Sequence, residues 1–195
     1  MSILKRKLSL SDYLNIPVLI LCLFIGTSSP PAHSQALYGP EYEVKAGFIY
    51  NFAKFVEWPD SSFNHDNNSF IIGLISNHSE SDVFFSLNGK TVGGKKVVVK
   101  KYEHVKGKPL EHCHILFIDF TDPARIREGL MKVKGQNVLT VGQASGFTEE
   151  GGIINFFTEK GSLRFEVNLG VAESSRLKLS SQLLMSAEIV TKGRK

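Results

Sequence analysis

The chain has little cysteine, little tryptophan, no charge of one dominant sign and no long apolar run beyond its first thirty residues. Of 195 residues, two are cysteine and one is tryptophan. Lys5, Arg6 and Lys7 precede the apolar run "IPVLILCLFIG" (Ile16–Gly26), and the polar stretch "TSSPPAHSQA" follows it. That run is too short to span a bilayer comfortably, and the order basic, apolar, small is that of a secretory signal. Small residues at Ser34 and Ala36 place the expected cleavage after Ala36. An uncleaved N-terminal anchor is the alternative. Lipid attachment at Cys22 is disfavoured, because Leu21 stands where a small residue is needed.

Removal of residues 1–36 has two consequences. Cys113 becomes the only thiol in an oxidising setting, so an intramolecular disulfide is excluded. A buried cysteine acting as a small hydrophobe is expected, with an intermolecular bridge or redox-sensitive thiol as the alternative. The charge balance falls from 23 basic against 19 acidic to 20 against 18, with loss of Lys5, Arg6, Lys7 and Asp12. A surplus of two removes the composition argument for nucleic-acid binding. Residues 37–195 are enough for one domain with a real core, and none of their apolar runs is long enough to hold them in a membrane.

What is present reads as alternating elements. Glu41 to Glu57 carries apolar residues at helical spacing, with Val44, Phe48, Phe52 and Phe55 expected on one face and Tyr50, Lys54 and Glu57 on another. Pro59 ends it. "FIIGLIS" (Phe70–Ser76) is a continuous apolar strand, and "ESDVFFSL" suggests a short helix. "GKTVGGKKVVVKKY" reads as strand, Gly93-Gly94 turn and strand. "HILFIDF" (His114–Phe120) has the most buried pattern of all. Asp122-Pro123 is a helix start, with the helix running to about Lys134. "NVLTV" and "IINFFT" are further strands. "SLRFEVNL" alternates, with Leu163, Phe165, Val167 and Leu169 inward and Arg164, Glu166 and Asn168 outward, and Glu159-Lys160-Gly161 makes a hairpin. Helices are expected from Gly170 and from Ser181, the latter carrying Leu183, Leu184, Ala187 and Val190 near one face. Continuous apolar strands alternating with helices predict a single α/β domain over 37–195. Its expected form is a three-layer sandwich whose mostly parallel, mixed sheet has helices on both faces and one C-terminal hairpin.

Catalytic and metal motifs fail on inspection. In "EHCHILF", His112 and His114 share one strand face and Cys113 takes the other, so a metal would need a distant third ligand such as His104. Gly89-Lys90-Thr91 ends like a phosphate loop, but Phe84 stands where its first glycine belongs. Ser145 in "GQASG" lacks the nucleophile-elbow spacing, and the glycines of 142–152 are expected to supply positive φ angles. Asp119 has no acid–base partner, since Asp122 is used as a helix cap. No enzyme activity, cofactor or metal is expected. The residues left to bind a partner or ligand are Tyr50, Lys54, Glu57, Trp58, Arg164, Glu166, Asn168 and Arg176. Arginine beside an exposed aromatic ring suits an anionic or planar group.

"YEVKAGFIYNFAKFVEWP", "CHILFI", "VLTV…GFTEEGGIINFF", "LRFEVNL" and "LKLSSQLL" occur in the order found in the YfiR family, the domain of unknown function 4154, which this chain resembles from about Tyr42 to Val190. The resemblance implies a small periplasmic α/β protein that represses an inner-membrane diguanylate cyclase by binding its periplasmic part, lowering cyclic-di-GMP and biofilm formation. It also implies self-association as a homodimer and an outer-membrane lipoprotein able to sequester the repressor. The cysteine pairs of the well-known repressors are absent, so intramolecular redox control is not implied here. Some relatives stand beside kinases or transporters, which leaves a small-molecule binding module as the alternative.

Overall fold

In the computed structural model, residues 39–64, 68–102, 110 and 112–190 are described. The expected signal segment (1–36) and His104 lie outside them. Helix α1 (Gly39–Phe55) leads into a two-residue strand β1 (Val56–Glu57), with a 3-10 turn at Asp60–Phe63. β2 (Ser69–Ser76) and a 3-10 helix (Ser79–Leu87) come next, then β3 (Thr91–Val92), β4 (Lys95–Lys101) and β5 (Ile115–Asp119). Helix α2 (Pro123–Lys132), β6 (Leu139–Gly142), β7 (Ile154–Glu159) and β8 (Ser162–Asn168) continue the chain. Helix α3 (Leu169–Ser174), β9 (Lys178–Leu179), helix α4 (Ser181–Met185) and β10 (Glu188–Val190) complete it.

Eight strands form one mixed sheet in the order β10-β8-β7-β6-β5-β2-β4-β3. The inner run β7-β6-β5-β2-β4 is parallel throughout, while β8 and β3 join antiparallel. β1 and β9 pair separately, Glu57 opposite Lys178. One sheet face packs α1 and the 3-10 helix Ser79–Leu87 around Phe52, Phe84, Phe117, Phe156 and Phe165. The other packs α2 around Ile118, Ile126, Leu130 and Phe147. Central strands buried on both faces explain their uninterrupted apolar sequences.

Local chemistry accounts for the boundaries. Asp122 caps α2 by accepting from the Ala124 N–H at 2.9 Å, with Pro123 at the first helical position. The β7–β8 turn is two residues long, and both Lys160 (φ 49°) and Gly161 (φ 78°) are left-handed, as a type I′ turn requires. In the glycine-rich loop, Gly146 and Gly151 do have positive φ. Gly142 and Gly152 do not, and they serve instead as space. A Cβ on Gly152 would lie 2.0 Å from the Phe147 ring, which fills the room both glycines leave.

Two expectations are corrected. The inward stripe of α1 is Tyr42, Ala46, Ile49, Phe52 and Ala53, whereas Val44 is 48 % exposed. A helix apolar on so many positions does not fix its own rotation by periodicity. The segment after Ser181 is helical only to Met185, and Glu188–Val190 becomes a strand parallel to β8. Edge pairing with β8 outweighs the continuing helical spacing of Ala187 and Val190. Cys113 is buried in the α2-side core, with its thiol held up to about 12 by loss of solvent. That places it out of reach of a bridge to another chain.

The rotation of α1 is testable by chemical denaturation. Ile49→Ala should cost about 2–5 kcal/mol, as core truncations do, and Val44→Ala less than about 0.5 kcal/mol. Equal costs would mean that the helix faces the sheet as its spacing alone suggests.

Candidate functional site

The chain passes from β2 to β4 on one side, then returns to β5 on the other. This reversal opens a crevice at the carboxyl ends of β2 and β5, the usual location of binding sites in open α/β sheets. Ser76 and Asp119 are the last residues of these strands and face each other in register. Asp119, only 1 % exposed, collects donors from three other elements. One carboxylate oxygen accepts from Tyr42 Oη at 2.9 Å and from Ser76 Oγ at 2.6 Å. The other accepts from Gln143 Nε2. Gln143 in turn accepts from Lys45 Nζ, which is also paired with Glu41 one helical turn away. Lys45 is 3 % exposed, and its ammonium sits 4.9 Å from the Tyr42 ring centre.

This arrangement obeys the rule for buried charge: Asp119 accepts from three side chains, and Lys45 is paired with Glu41 and bonded to Gln143. Burial, then the adjacent Asp119 carboxylate, raises the Tyr42 hydroxyl well above its ordinary range. Tyr42 therefore remains a donor to Asp119. Above the network lies a cavity of about 400 Å³, lined by Glu41, Lys45, Glu80, Gln143, Phe156 and Leu163 among others. None of these residues stood out as a binding group in the sequence. The available signal was a lysine on the apolar side of α1 and an aspartate ending the most apolar strand.

The sequence-predicted residues fall into two groups. At the end of α1, Lys54 Nζ (4.3 Å) and Lys90 Nζ (5.3 Å) both lie over the Tyr50 ring, and the Tyr50 hydroxyl donates to the Thr91 carbonyl. Glu57 is exposed on β1. Trp58 is half-buried: its indole N–H donates to the His114 carbonyl at 3.2 Å and its ring meets Phe70 edge-on. On β8, Arg164, Glu166 and Asn168 project to the sheet face opposite α1, since the intervening Phe165 and Val167 pack in the α1-side core. Arg164 pairs with Glu159 at 3.0 Å. Glu166 accepts from Thr148 and Asn155. Asn168 caps α3 through the Val171 N–H. Arg176 follows α3 in a left-handed conformation (φ 56°), its N–H returned to the Glu173 carbonyl as a helix stop. The α1 group and the β8 group do not converge.

At the amino end of β5, His112 and His114 do share a face, with ring centres 5.0 Å apart, while Cys113 enters the opposite core. His114 is stacked between Phe63 and Phe70, each 4.7 Å away, and its Nδ1 accepts from the Ile71 N–H. His112 bonds the Ser62 carbonyl through Nε2 at 2.7 Å. Among the described residues no three side chains are placed to hold a metal ion. No described helix is long and apolar enough to cross a membrane.

Fold and site together define an α/β sandwich protein with its polar crevice at the carboxyl ends of parallel strands. Within that class the chain belongs to the YfiR/HmsC-like family, whose model matches residues 42–188. A conserved domain protein from Vibrio cholerae O1 biovar El Tor shares the fold, with a TM-score of 0.50 at 12 % identity. The likeness covers 77 % of this chain and 60 % of the Vibrio chain, so this protein spans under two thirds of it. No curated protein matches the sequence.

Burial, and then the neighbouring His112, lower the His114 pKa from 6.5 to about 4. The unfolded chain therefore binds the proton more readily, and the stability of a neutral His114, complete above pH 6.5, is lost as pH falls towards 4. Its contribution to the slope is at most about 1.4 kcal/mol per pH unit. Denaturation of wild type and His114→Phe between pH 7 and 4 should show the difference between them narrowing with acid. A difference that stays constant would assign the acid sensitivity to other groups.

Proposed function

We propose that this protein is an exported, periplasmic regulator that binds the periplasmic part of an inner-membrane diguanylate cyclase, holds it inactive and so lowers cyclic-di-GMP and biofilm formation. Membership of the YfiR/HmsC-like family across residues 42–188 carries this reading. Repression needs no catalysis. It needs a surface that prefers one state of the target, because a ligand shifts an equilibrium only by its differential affinity. The end of α1 supplies a candidate surface: Tyr50 with two lysine ammonium groups over its ring, Lys54 and Glu57 exposed, and Trp58 anchored through its indole N–H. Rigid aromatic groups flanked by charge are frequent interface anchors. Arg164, Glu166, Asn168 and Arg176 lie outside this patch, and the proposed contact does not require them.

The second reading is a small-molecule binding module serving a sensor kinase or outer-membrane transporter. The cavity at the strand ends favours it. A neighbouring gene for a membrane cyclase supports repression, and one for a kinase or transporter supports the module.

Deletion of the gene should raise cellular cyclic-di-GMP, and restoring the gene should reverse the rise. A Lys54→Glu, Glu57→Lys double variant should fold normally yet fail to restore repression. Full restoration by that variant would reject the α1 surface, and no rise on deletion while the gene is expressed would reject the cyclase as target.

A further inference from the structure

A cavity of about 810 Å³ lies on the α2 side of the sheet, where Leu130, Val133 and Val138 belong to the same core. Arg127, Leu130, Met131 and Lys134 line it at positions i, i+3, i+4 and i+7, one stripe along α2 and into the turn that follows it. Val171, Ser174 and Ser175 line it from α3 at i, i+3 and i+4. Val138 and Thr140, at the start of β6, lie between the two helices. Each helix thus presents a stripe to a groove rather than to its neighbour. Met131 is 67 % exposed there, a flexible apolar side chain of the kind that adapts to irregular apolar surfaces.

Charge in the groove is sparse and unequal. Its charged side chains are Arg127, Glu150 and Lys134. Arg127 Nη1 donates to Glu150 Oε1 at 2.8 Å, which makes one neutral pair. Lys134, seven residues further along, is exposed and pairs with no acidic side chain among the described residues. One positive charge is therefore in surplus, at the end where α2 stops, and Leu130, Met131 and Val133 separate it from the neutral pair. At helical rise the stretch from Arg127 to Lys134 spans about 10 Å, the length of a medium-chain alkyl group.

We propose that this groove binds a medium-chain monocarboxylate, with its carboxylate at Lys134 and its alkyl chain along Leu130, Met131, Val138 and Val171. Apolar walls with a few placed polar groups, in a volume within about 300–1,000 Å³, are the ordinary form of a small-molecule site. Each methylene taken out of water adds to the affinity, and the ammonium fixes the orientation of the chain. An alkylamine of the same length meets a like charge at Lys134, and a dicarboxylate has to desolvate its second charge against the apolar wall. The groove lies on the sheet face opposite α1, so binding here is independent of the proposed repression through the α1 surface.

Calorimetric titration of the purified protein with decanoate, below the concentration at which the probe self-associates, tests the assignment. Decanoate should bind saturably at one site, at least about tenfold tighter than hexanoate or decylamine, with a negative heat-capacity change. Lys134→Glu should weaken decanoate about tenfold or more and remove its advantage over decylamine. Ser174→Trp, which fills the groove from α3, should abolish binding. Both positions are exposed, and the melting temperature of each unliganded variant reports whether the fold is kept. No saturable binding by the wild type, equal binding of decylamine, or full binding by the folded variants would each overturn the assignment. Sedimentation identifies a different occupant: self-association of the wild type that Ser174→Trp abolishes, with no decanoate bound, would give the groove to a second copy of this chain and overturn the assignment as well.

Discussion

The structure depends on a carboxylate taken out of water. Asp119 ends the most buried strand and is satisfied only because α1, β2 and the residue following β6 each present a donor to it. Removing one partner of such a buried group leaves the others desolvated and unpaired, a larger loss than a surface contact could cause. The network therefore couples the start of α1 to the strand ends. It also sets the helix rotation: with Tyr42 and Lys45 drawn inward to Asp119 and Gln143, Val44 must point to solvent.

The two ends of the sheet are built differently. At the carboxyl ends, polar groups are buried in pairs beneath a cavity with acidic walls. At the amino end of β5, His114 is packed among Phe63, Phe70 and Trp58, and its cost is that it must stay neutral. The Trp58 indole bond to the His114 carbonyl joins this aromatic cluster to the end of α1. Tryptophan, histidine and α1 thus form one rigid corner beneath the proposed protein-binding surface. A rigid corner loses little side-chain freedom on docking, which favours a selective contact.

Much of the fold was legible because its signals are local. The Asp122-Pro123 helix start, the Lys160-Gly161 turn and the clean alternation of β8 each depend on neighbours within a few residues. The opposite orientation of Cys113 and the two flanking histidines also follows from strand geometry alone. The order of five sequence blocks likewise marked the family. Less was legible in the site. Tyr50, Lys54, Glu57 and Trp58 do cluster at the end of α1, because they are close in sequence. Arg164, Glu166 and Asn168 share a face as their alternation requires, but whether that face meets Trp58 depends on which side of the sheet α1 covers.

The sequence by itself determined the class of fold, most element boundaries, the hairpin and the lack of any recognised catalytic motif, since these reside in short-range spacing and backbone preference. Only the tertiary structure decided the rotation of α1, the conversion of Glu188–Val190 to a strand and the polar network beneath the crevice at the strand ends. The Tyr42–Asp119 and Lys45–Gln143 bonds join residues 77 and 98 positions apart, and no local pattern encodes such a pairing. It exists because the returning chain brings β5 beside β2, where a buried charge has to find its partners.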